Sequence, residues 1–249
     1  HHNHSDLVIK ALNKGKAVYV EKPLALDMQS ITDIEESIYR SENPKLFIGF
    51  NRRFSKSAQF IKQKLINNPA NSINLRFSVP PLDSDHWTNI KEIGGGRIVG
   101  EAVHGIDLAC YLFDSLPQSI SASAPVDKTN NMVKDNQVFL NINFANGSHA
   151  SLQYFSEANQ ILSKERIEVH GEGNSYILED FKMLRFLEGS QDRSKTFSSG
   201  KGHKESLSIF FDYVRDKSQN PFTWEEIKAV SKAAITAQDH INSGQQHNV

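Results

Sequence analysis

The first fifty residues alternate between helical spacing of apolar side chains and short, continuous apolar runs. A first helical pattern, with Ser5-Asp6 as candidate N-caps, ends at Gly15, and a second covers residues 27–40. The apolar runs at 17–20 and 46–50 follow these two patterns and indicate buried strands. Short strands separated by helices predict parallel βαβ topology.

After residue 50 the period of the pattern changes to two. Apolar and polar residues alternate over 73–79, 138–144 and 150–154, and Asn146-Gly147 lies between the last two runs, which is typical of a β-hairpin. We therefore expect an antiparallel sheet with one covered face. The other predicted elements are helices over 55–65, 98–113, 205–217 and 224–243, a second hairpin around 171–174, and a mobile loop over 191–202.

This change of period predicts an α/β plus α+β protein, in which a fragment of a parallel layer precedes a domain built on the antiparallel sheet, with a boundary near residues 50–55. The chain opens with His1-His2-Asn3-His4 rather than Met, and its first helix leads directly into a buried strand. We therefore expect that further sequence precedes residue 1.

Composition narrows the class of protein. With 249 residues, 38% hydrophobic and 23% charged, the chain is expected to be a soluble globular protein. Its 28 Lys and Arg nearly balance its 29 Asp and Glu, so net charge favours neither nucleic acid nor an acidic membrane as partner. The longest apolar run, Leu108–Phe113, is too short to cross a bilayer. The single cysteine, Cys110, excludes an intrachain disulfide and favours a cytoplasmic location.

Lys22 follows the first predicted strand, at the edge where ligands bind in open α/β sheets. Pro23 restricts the backbone beside it, and the peptide bond between Lys22 and Pro23 could be cis. A partly desolvated Lys in this place could stabilise a developing alkoxide or move a proton. The alternative interpretation is a surface Lys before a turn.

Other candidates also have alternative interpretations. Arg52 and Arg53 follow the second strand at the equivalent edge and could orient a polyol or an anionic group, unless they only begin a solvated helix. Trp87, in the segment Asp85-His86-Trp87, could stack on a sugar ring, although a lone aromatic residue in a loop is more often a packing anchor.

Glu101, His104 and Asp107 follow one another at intervals of three on the predicted helix, so they share about 120° of one face. His titrates near neutral pH, and a carboxylate one turn away could fix its tautomer and raise its basicity. The alternative is a helix with an ordinary, partly buried His. The glycines at 94–96 before this helix would let the backbone approach a ligand closely.

Two further glycine patterns, Gly200-Lys201-Gly202 and Gly171-Glu172-Gly173, do not support a dinucleotide fingerprint. Neither combines a buried leading strand, the full G-x-G-x-x-G spacing and a following helix. None of the ten His residues forms a credible metal set.

Several segments, in consistent order from residue 4 to about 249, resemble the glucose–fructose oxidoreductase/inositol dehydrogenase family (Gfo/Idh/MocA). They read HSDLVIKALNKGKAVYVEKPLAL, GFNRRFS, DHWTNIKEIGGGRIVGEAVHGIDLACYLF, EVHGEGNSYILEDF and GKGHKESLSIFFDYV. The resemblance implies that residues 1–52 are the C-terminal remnant of a dinucleotide-binding Rossmann domain. It also implies that residues 53–249 form a substrate-binding and oligomerisation domain, whose open sheet face would mediate a homo-dimer or tetramer.

The resemblance implies a dehydrogenase that uses NAD or NADP and acts on a sugar, polyol or nucleotide-sugar carbinol. Lys22 matches the family's catalytic lysine and His104 its proton-transferring histidine, whereas Arg52 or Arg53 matches a substrate-side arginine. The other implied or candidate roles are cofactor binding by His4, Glu21, Lys22 and Pro23, a catalytic carboxylate in Glu101, and substrate binding by Trp87 and Asp107.

One departure concerns the acid–base relay, because the family often has an Asp four residues before the His and this chain has Gly100 there. Glu101 is the candidate replacement. The glycine fingerprint is absent from the sequence, so we expect the chain alone to bind NAD weakly and to turn over no substrate. The alternative hypothesis is a non-catalytic binding or assembly module derived from this family.

Overall fold

The computed structural model describes residues 1–81, 86–127, 132–133, 135–198 and 200–243. The α-helices in these ranges are α1 (His4–Leu12), α2 (Met28–Arg40), α3 (Lys56–Leu65), α4 (Lys91–Gly94), α5 (Val103–Phe113), α6 (His203–Val214) and α7 (Trp224–Asn242). The strands are β1 (Val18–Val20), β2 (Leu46–Ile48), β3 (Ser72–Ser78), β4 (Pro117–Ser123), β5 (Val126–Asp127), β6 (Met132–Val133), β7 (Gln137–Phe144), β8 (His149–Phe155), β9 (Glu165–Gly171), β10 (Asn174–Glu179), β11 (Met183–Glu188) and β12 (Gln191–Thr196).

The N-terminal layer confirms the predicted parallel topology. Strands β1 and β2 pair in parallel, with Val18 opposite Leu46 and Val20 opposite Ile48. Helix α2 connects them, and its N-cap Asp27 accepts the backbone N–H of Ser30. The first helix begins at His4, one residue before the predicted caps, and no side chain caps it.

The larger sheet has eight strands in the order β12-β11-β10-β9-β3-β8-β7-β4. All of its pairs are antiparallel except β3 with β8, which run parallel. This exception differs from the predicted all-antiparallel sheet, because alternation of apolar and polar residues reports which face is covered and not the direction of the neighbouring strand. The α/β plus α+β fold class is confirmed, whereas the boundary at residue 52 stays a prediction.

The hairpin predictions are confirmed at both turns. Gly147, between β7 and β8, has a φ of +84°. Glu172 and Gly173, between β9 and β10, have φ values of +49° and +77°, as a two-residue type I′ turn requires. The predicted mobile loop at 191–202 is wrong in its first half, because Gln191–Thr196 forms β12 against β11.

Helix α5 lies within the core and carries His104. Ten of its eleven residues are buried. At Gly105 the backbone passes so close to β8 that a Cβ would collide with the side chain of Leu152 and would lie 3.2 Å from Phe77. The absence of a side chain at Gly105 therefore lets α5 lie directly on the sheet, which sets the position of the neighbouring His104.

Candidate functional site

The Lys22 side chain links the tip of β1 to the turn that precedes α5. The Lys22–Pro23 peptide bond is cis. The Lys22 ammonium donates to the Gly100 carbonyl at 2.5 Å and to Glu101 Oε1 at 2.9 Å, and its side chain is 14% exposed. Two acceptors on one turn thus hold this cation at the carboxyl end of the parallel layer, where the sequence placed a ligand site.

The acceptor turn is a π-helical segment, Ile98–Ala102, rather than the first turn of one continuous helix as predicted. The N–H of Val103 bonds to the Ile98 carbonyl, five residues back. The wider turn changes the angular spacing of the residues before α5, so Glu101 and His104 do not have the positions that regular helical spacing predicted. Single π turns within helices occur frequently at functional sites.

His104 is the second residue of α5 and is buried, with 4% of its surface exposed. Its Nδ1 atom is buried and has no hydrogen-bond partner among the described residues. Burial, together with the positive charges of Arg52 and Lys22, holds the pKa of His104 well below its usual range. The imidazole is therefore neutral near pH 7 and able to accept a proton.

Arg52 and Lys201 share one buried carboxylate. Arg52 donates from Nε and Nη2 to Glu165 at 2.7 and 2.8 Å, and the Lys201 ammonium contacts the same carboxylate. Although burial of Glu165 opposes ionisation, the charges and hydrogen bonds of Arg52 and Lys201 outweigh it and lower the pKa of Glu165 to about 2. Both cations belong to the surroundings of His104, since both lower its pKa.

Arg53 points away from this group into a second buried ion pair. Its Nη2 and Nε donate to Asp107 at 2.5 and 3.2 Å, and its Nη1 donates to Glu226 at 3.3 Å. The side chains of Arg53 and Asp107 are 3% and 1% exposed, and the guanidinium lies 4.5 Å from the ring centre of Phe222. The geometry favours a structural role for this pair, and substrate binding by Arg53 and Asp107 stays a prediction.

Glu101, His104 and Asp107 make no described hydrogen bond or ion pair with one another. Glu101 contacts Lys22, His104 stands without a partner on Nδ1, and Asp107 pairs with Arg53. Glu101 therefore does not supply the carboxylate that the sequence analysis sought for the imidazole. Its position makes it a partner of Lys22 instead.

The remaining candidates contact other parts of the N-terminal region. The Nδ1–H of His4 donates to the Pro23 carbonyl at 2.7 Å. The Glu21 carboxylate lies over Gly49, where a Cβ would come within 2.6 Å of it. Trp87 is 43% exposed, with its ring edge-on to His1 at 4.8 Å. Asp85 lies outside the described residues.

The glycines at 94–96 contact protein atoms, in contrast to their predicted role of admitting a ligand. A Cβ on Gly94 would lie 2.8 Å from the Thr88 Cα, and one on Gly95 or Gly96 would collide with Leu26 or Gln238. These glycines therefore permit close packing before α5.

Sequence reasoning missed Glu165, Lys201 and His203. Lys201 and His203 stand in the GKGH segment, which contributes to the family resemblance and lacks the spacing of a dinucleotide fingerprint, and neither feature indicated a role for these two side chains. Glu165 carried no signal, because a single Glu at the start of a strand is indistinguishable from a surface residue until its partner Arg52 is known.

None of the helices that the structure describes has the length and apolar character needed to span a bilayer. Among the described residues, no group of three or more His, Cys, Asp or Glu side chains is arranged to hold a metal ion.

A parallel layer joined to an eight-stranded sheet defines an α/β plus α+β protein. The structure aligns with UDP-N-acetylglucosamine 3-dehydrogenase from Acidithiobacillus ferrooxidans at a TM-score of 0.82 and 15% identity, covering 98% of this chain and 77% of that one. It aligns with aldose-aldose oxidoreductase from Caulobacter crescentus at a TM-score of 0.83 and 15% identity, covering 98% and 75% of the two chains. At this identity the likeness establishes the fold.

The comparisons with sequence families support the resemblance to the Gfo/Idh/MocA family. Residues 68–177 match the model of the GFO/IDH/MocA C-terminal domain. The chain is 26% identical to inositol 2-dehydrogenase of Rhizobium meliloti over 78% of its own length and 66% of the relative's. It is 23% identical to myo-inositol 2-dehydrogenase of Thermotoga maritima over 97% and 69%. The chain thus spans about two thirds of the length of these relatives.

Proposed function

We propose that this chain supplies the substrate-binding and proton-transfer part of an NAD- or NADP-dependent dehydrogenase acting on a sugar, polyol or nucleotide-sugar carbinol. The observation that carries the proposal is that Lys22 is bonded to the turn before His104 and lies near enough to lower the pKa of that imidazole. The Lys22 ammonium is held on the turn directly before α5, and His104 lies on the first turn of that helix. The relatives named as inositol dehydrogenases support a polyol-like substrate.

In this proposal His104 accepts the hydroxyl proton. Its depressed pKa keeps the imidazole unprotonated at neutral pH, as a general base must be. Lys22 donates a hydrogen bond to the alkoxide that develops as the proton leaves, and Glu101 and the Gly100 carbonyl orient the ammonium for that task. In the reverse direction, hydride addition to the carbonyl carbon gives an alkoxide that Lys22 stabilises, and protonated His104 returns one proton to the oxygen.

The residues fit the nicotinamide end of such a cofactor. The buried, unpartnered Nδ1 of His104 and the anchored Lys22 provide a polar site at the end of β1. His4, Glu21 and Pro23 lie beside Lys22 and would hold the nicotinamide portion. A bound nicotinamide dinucleotide would accept or deliver the hydride. The sequence contains no G-x-G-x-x-G segment, so we propose that these 249 residues alone bind NAD weakly.

The test uses a protein that joins this chain to a dinucleotide-binding segment, with a panel of sugars, inositols and nucleotide sugars. Lys22→Ala and His104→Ala should each lower kcat/KM by about 10²–10⁴, since general acid–base groups contribute that much. Lys195→Ala, on the outer strand β12, is the control and should leave kcat/KM unchanged. Wild-type kcat/KM in both site variants would refute the assignment. Micromolar binding of NAD to the 249 residues alone, measured by calorimetry, would refute weak binding.

The alternative, a non-catalytic module, draws support from the orphaned Nδ1 atom of His104. With Gly100 in place of an acid and Glu101 turned to Lys22, nothing among the described residues fixes the imidazole tautomer. A joined protein that binds carbohydrate but transfers no hydride to any member of the panel would favour this alternative.

We also propose that the outer face of the eight-stranded sheet mediates a homo-oligomer. Phe139 on β7 is 40% exposed on this face and packs edge-on against Phe155. A monomeric mass in solution, with Phe139→Lys having no effect on it, would contradict the proposal. A cytoplasmic location stays the prediction made from the single cysteine.

A further inference from the structure

The segment 200–203 is fixed against the turn that carries Arg52. Gly202 has a φ of +84°, and a Cβ on it would collide with the Asn51 carbonyl and lie 2.6 Å from the Ser55 nitrogen. Asn51 Nδ2 donates to the Lys201 carbonyl at 2.7 Å and lies 3.1 Å from Nε2 of His203. The position of Lys201 is therefore determined by local packing, which only glycine at residue 202 permits.

The charges around Glu165 do not balance. Arg52 satisfies the carboxylate with two hydrogen bonds, and the Lys201 ammonium contacts it as a second cation. Another carboxylate, Asp180, accepts the backbone N–H of Glu165 at 2.9 Å and makes no described bond to Lys201. Two cations therefore share one directly bonded anion.

Of these two cations, Lys201 is the one that a ligand can reach. The Arg52 side chain is 7% exposed and its guanidinium is committed to Glu165, whereas the Lys201 side chain is 25% exposed. An ammonium has three donors, and the described contacts of Lys201 with side chains use one of them. The nearby cation Lys22 is already bonded to Glu101 and the Gly100 carbonyl.

We propose that Lys201 is a substrate-binding residue that takes an anionic substituent, a carboxylate or a phosphate, on a carbohydrate whose carbinol faces His104. The role of Lys201 rests on the proposed function, which places the carbinol at His104. It goes further in specifying that the substrate carries a negative charge. The segment 200–203 then forms a wall of the site, with Arg52 and Glu165 acting as positioning residues that hold the Lys201 ammonium. A purely structural Lys201, serving only Glu165, is the competing interpretation.

The experiment measures binding rather than turnover, so its failure is separate from failure of the hydride-transfer proposal. Calorimetry at fixed ionic strength compares D-glucose, D-glucuronate and D-glucose 6-phosphate, which differ only at C6. We expect a charged probe to bind the wild-type chain at least about tenfold more tightly than glucose, equivalent to about 1.4 kcal/mol. The preferred charged probe distinguishes a carboxylate from a phosphate ligand.

Three variants test the role of Lys201. Lys201→Gln should abolish the preference for the charged probe, Lys201→Arg should retain most of it, and Lys204→Gln, an exposed lysine three residues along, should leave it intact. A charged-probe preference that survives Lys201→Gln, or a wild-type chain that shows no such preference, overturns the proposal. A structural Lys201 would instead lower Tm in Lys201→Gln without changing the ratio of the two dissociation constants.

Discussion

Arg52 and Arg53 are neighbours in sequence, and both are buried, yet they belong to opposite kinds of charged cluster. Arg53 is surrounded by Asp107, Glu226 and an aromatic ring, so each side of its guanidinium has a partner. Arg52 shares its only described carboxylate partner with Lys201, and the adjacent His104 has an unpartnered nitrogen. A cluster in which every charged group has a partner stabilises the fold. A cluster with an excess of positive charge and an unpaired nitrogen is suited to bind a ligand.

The largest expected effect on stability comes from breaking the fully paired cluster of Arg53, Asp107 and Glu226. Arg53→Met should lower the free energy of unfolding by about 3–5 kcal/mol, because it leaves the carboxylate of Asp107 buried without its cation. Arg185→Met removes an exposed pair with Asp192 and should cost less than about 1 kcal/mol. Urea unfolding of both variants measures the difference, and equal costs would contradict the structural role of Arg53.

Acid should weaken the Arg52 cluster in a defined window. The pKa of Glu165 is about 2 in the folded chain, below its ordinary value of 4.5, so its contribution is complete above pH 4.5 and is lost as pH falls toward 2. The contribution amounts to about 3 kcal/mol. Comparing urea unfolding of wild type and Glu165→Gln between pH 6 and pH 3 isolates it. A difference between the two proteins that stays constant over this range would contradict the assignment.

The glycine that holds Lys201 offers a matched pair of substitutions. Gly202 and Gly147 both have a φ of +84°, but a Cβ on Gly147 would meet no atom within 4 Å. Gly202→Ala should therefore destabilise the chain by about 1–3 kcal/mol more than Gly147→Ala, the excess being the cost of overpacking. Thermal or urea unfolding gives the two values, and equality would mean that segment 200–203 moves freely.

The smallest expected effect is a change in the titration of one imidazole. His104 should remain neutral below pH 6.5 in NMR titration, because burial opposes its charged form and Arg52, Lys22 and Lys201 repel it. Lys201→Gln should raise the pKa of His104, whereas Lys204→Gln should leave it unchanged. An unchanged pKa in Lys201→Gln would separate the segment 200–203 from the site.

The sequence predicted best the elements whose boundaries and buried faces are set by their own residues. The helix α2 has Asp27 to cap it and a clear apolar stripe, and α7 has the capping box of Thr223 and Glu226. Strand β12 was mistaken for a loop because all six of its residues are exposed and polar, so only its pairing with β11 defines it. Strand β4 was missed for a similar reason, since it has no fully buried residue.

The sequence predicted where the site residues lie better than it predicted which charged side chains form ion pairs. Lys22 and His104 were found because each stands at a recognisable place, one after a strand and one on a helix. The partnerships of Arg53 with Asp107 and of Arg52 with Glu165 join residues 54 and 113 positions apart, and no local pattern reports such distances. The π turn was hidden as well, since its residues fit a regular helix equally well.

The composition of β12 affects whether the sheets of two molecules can pair edge to edge. A strand at the margin of a sheet presents unpaired backbone groups that can recruit a neighbour and start a fibril. Here that margin is the hydrophilic segment Gln-Asp-Arg-Ser-Lys-Thr, and the opposite margin, β4, is packed against α7. The polar and charged side chains of β12 therefore disfavour growth of the sheet from one molecule into the next at that margin.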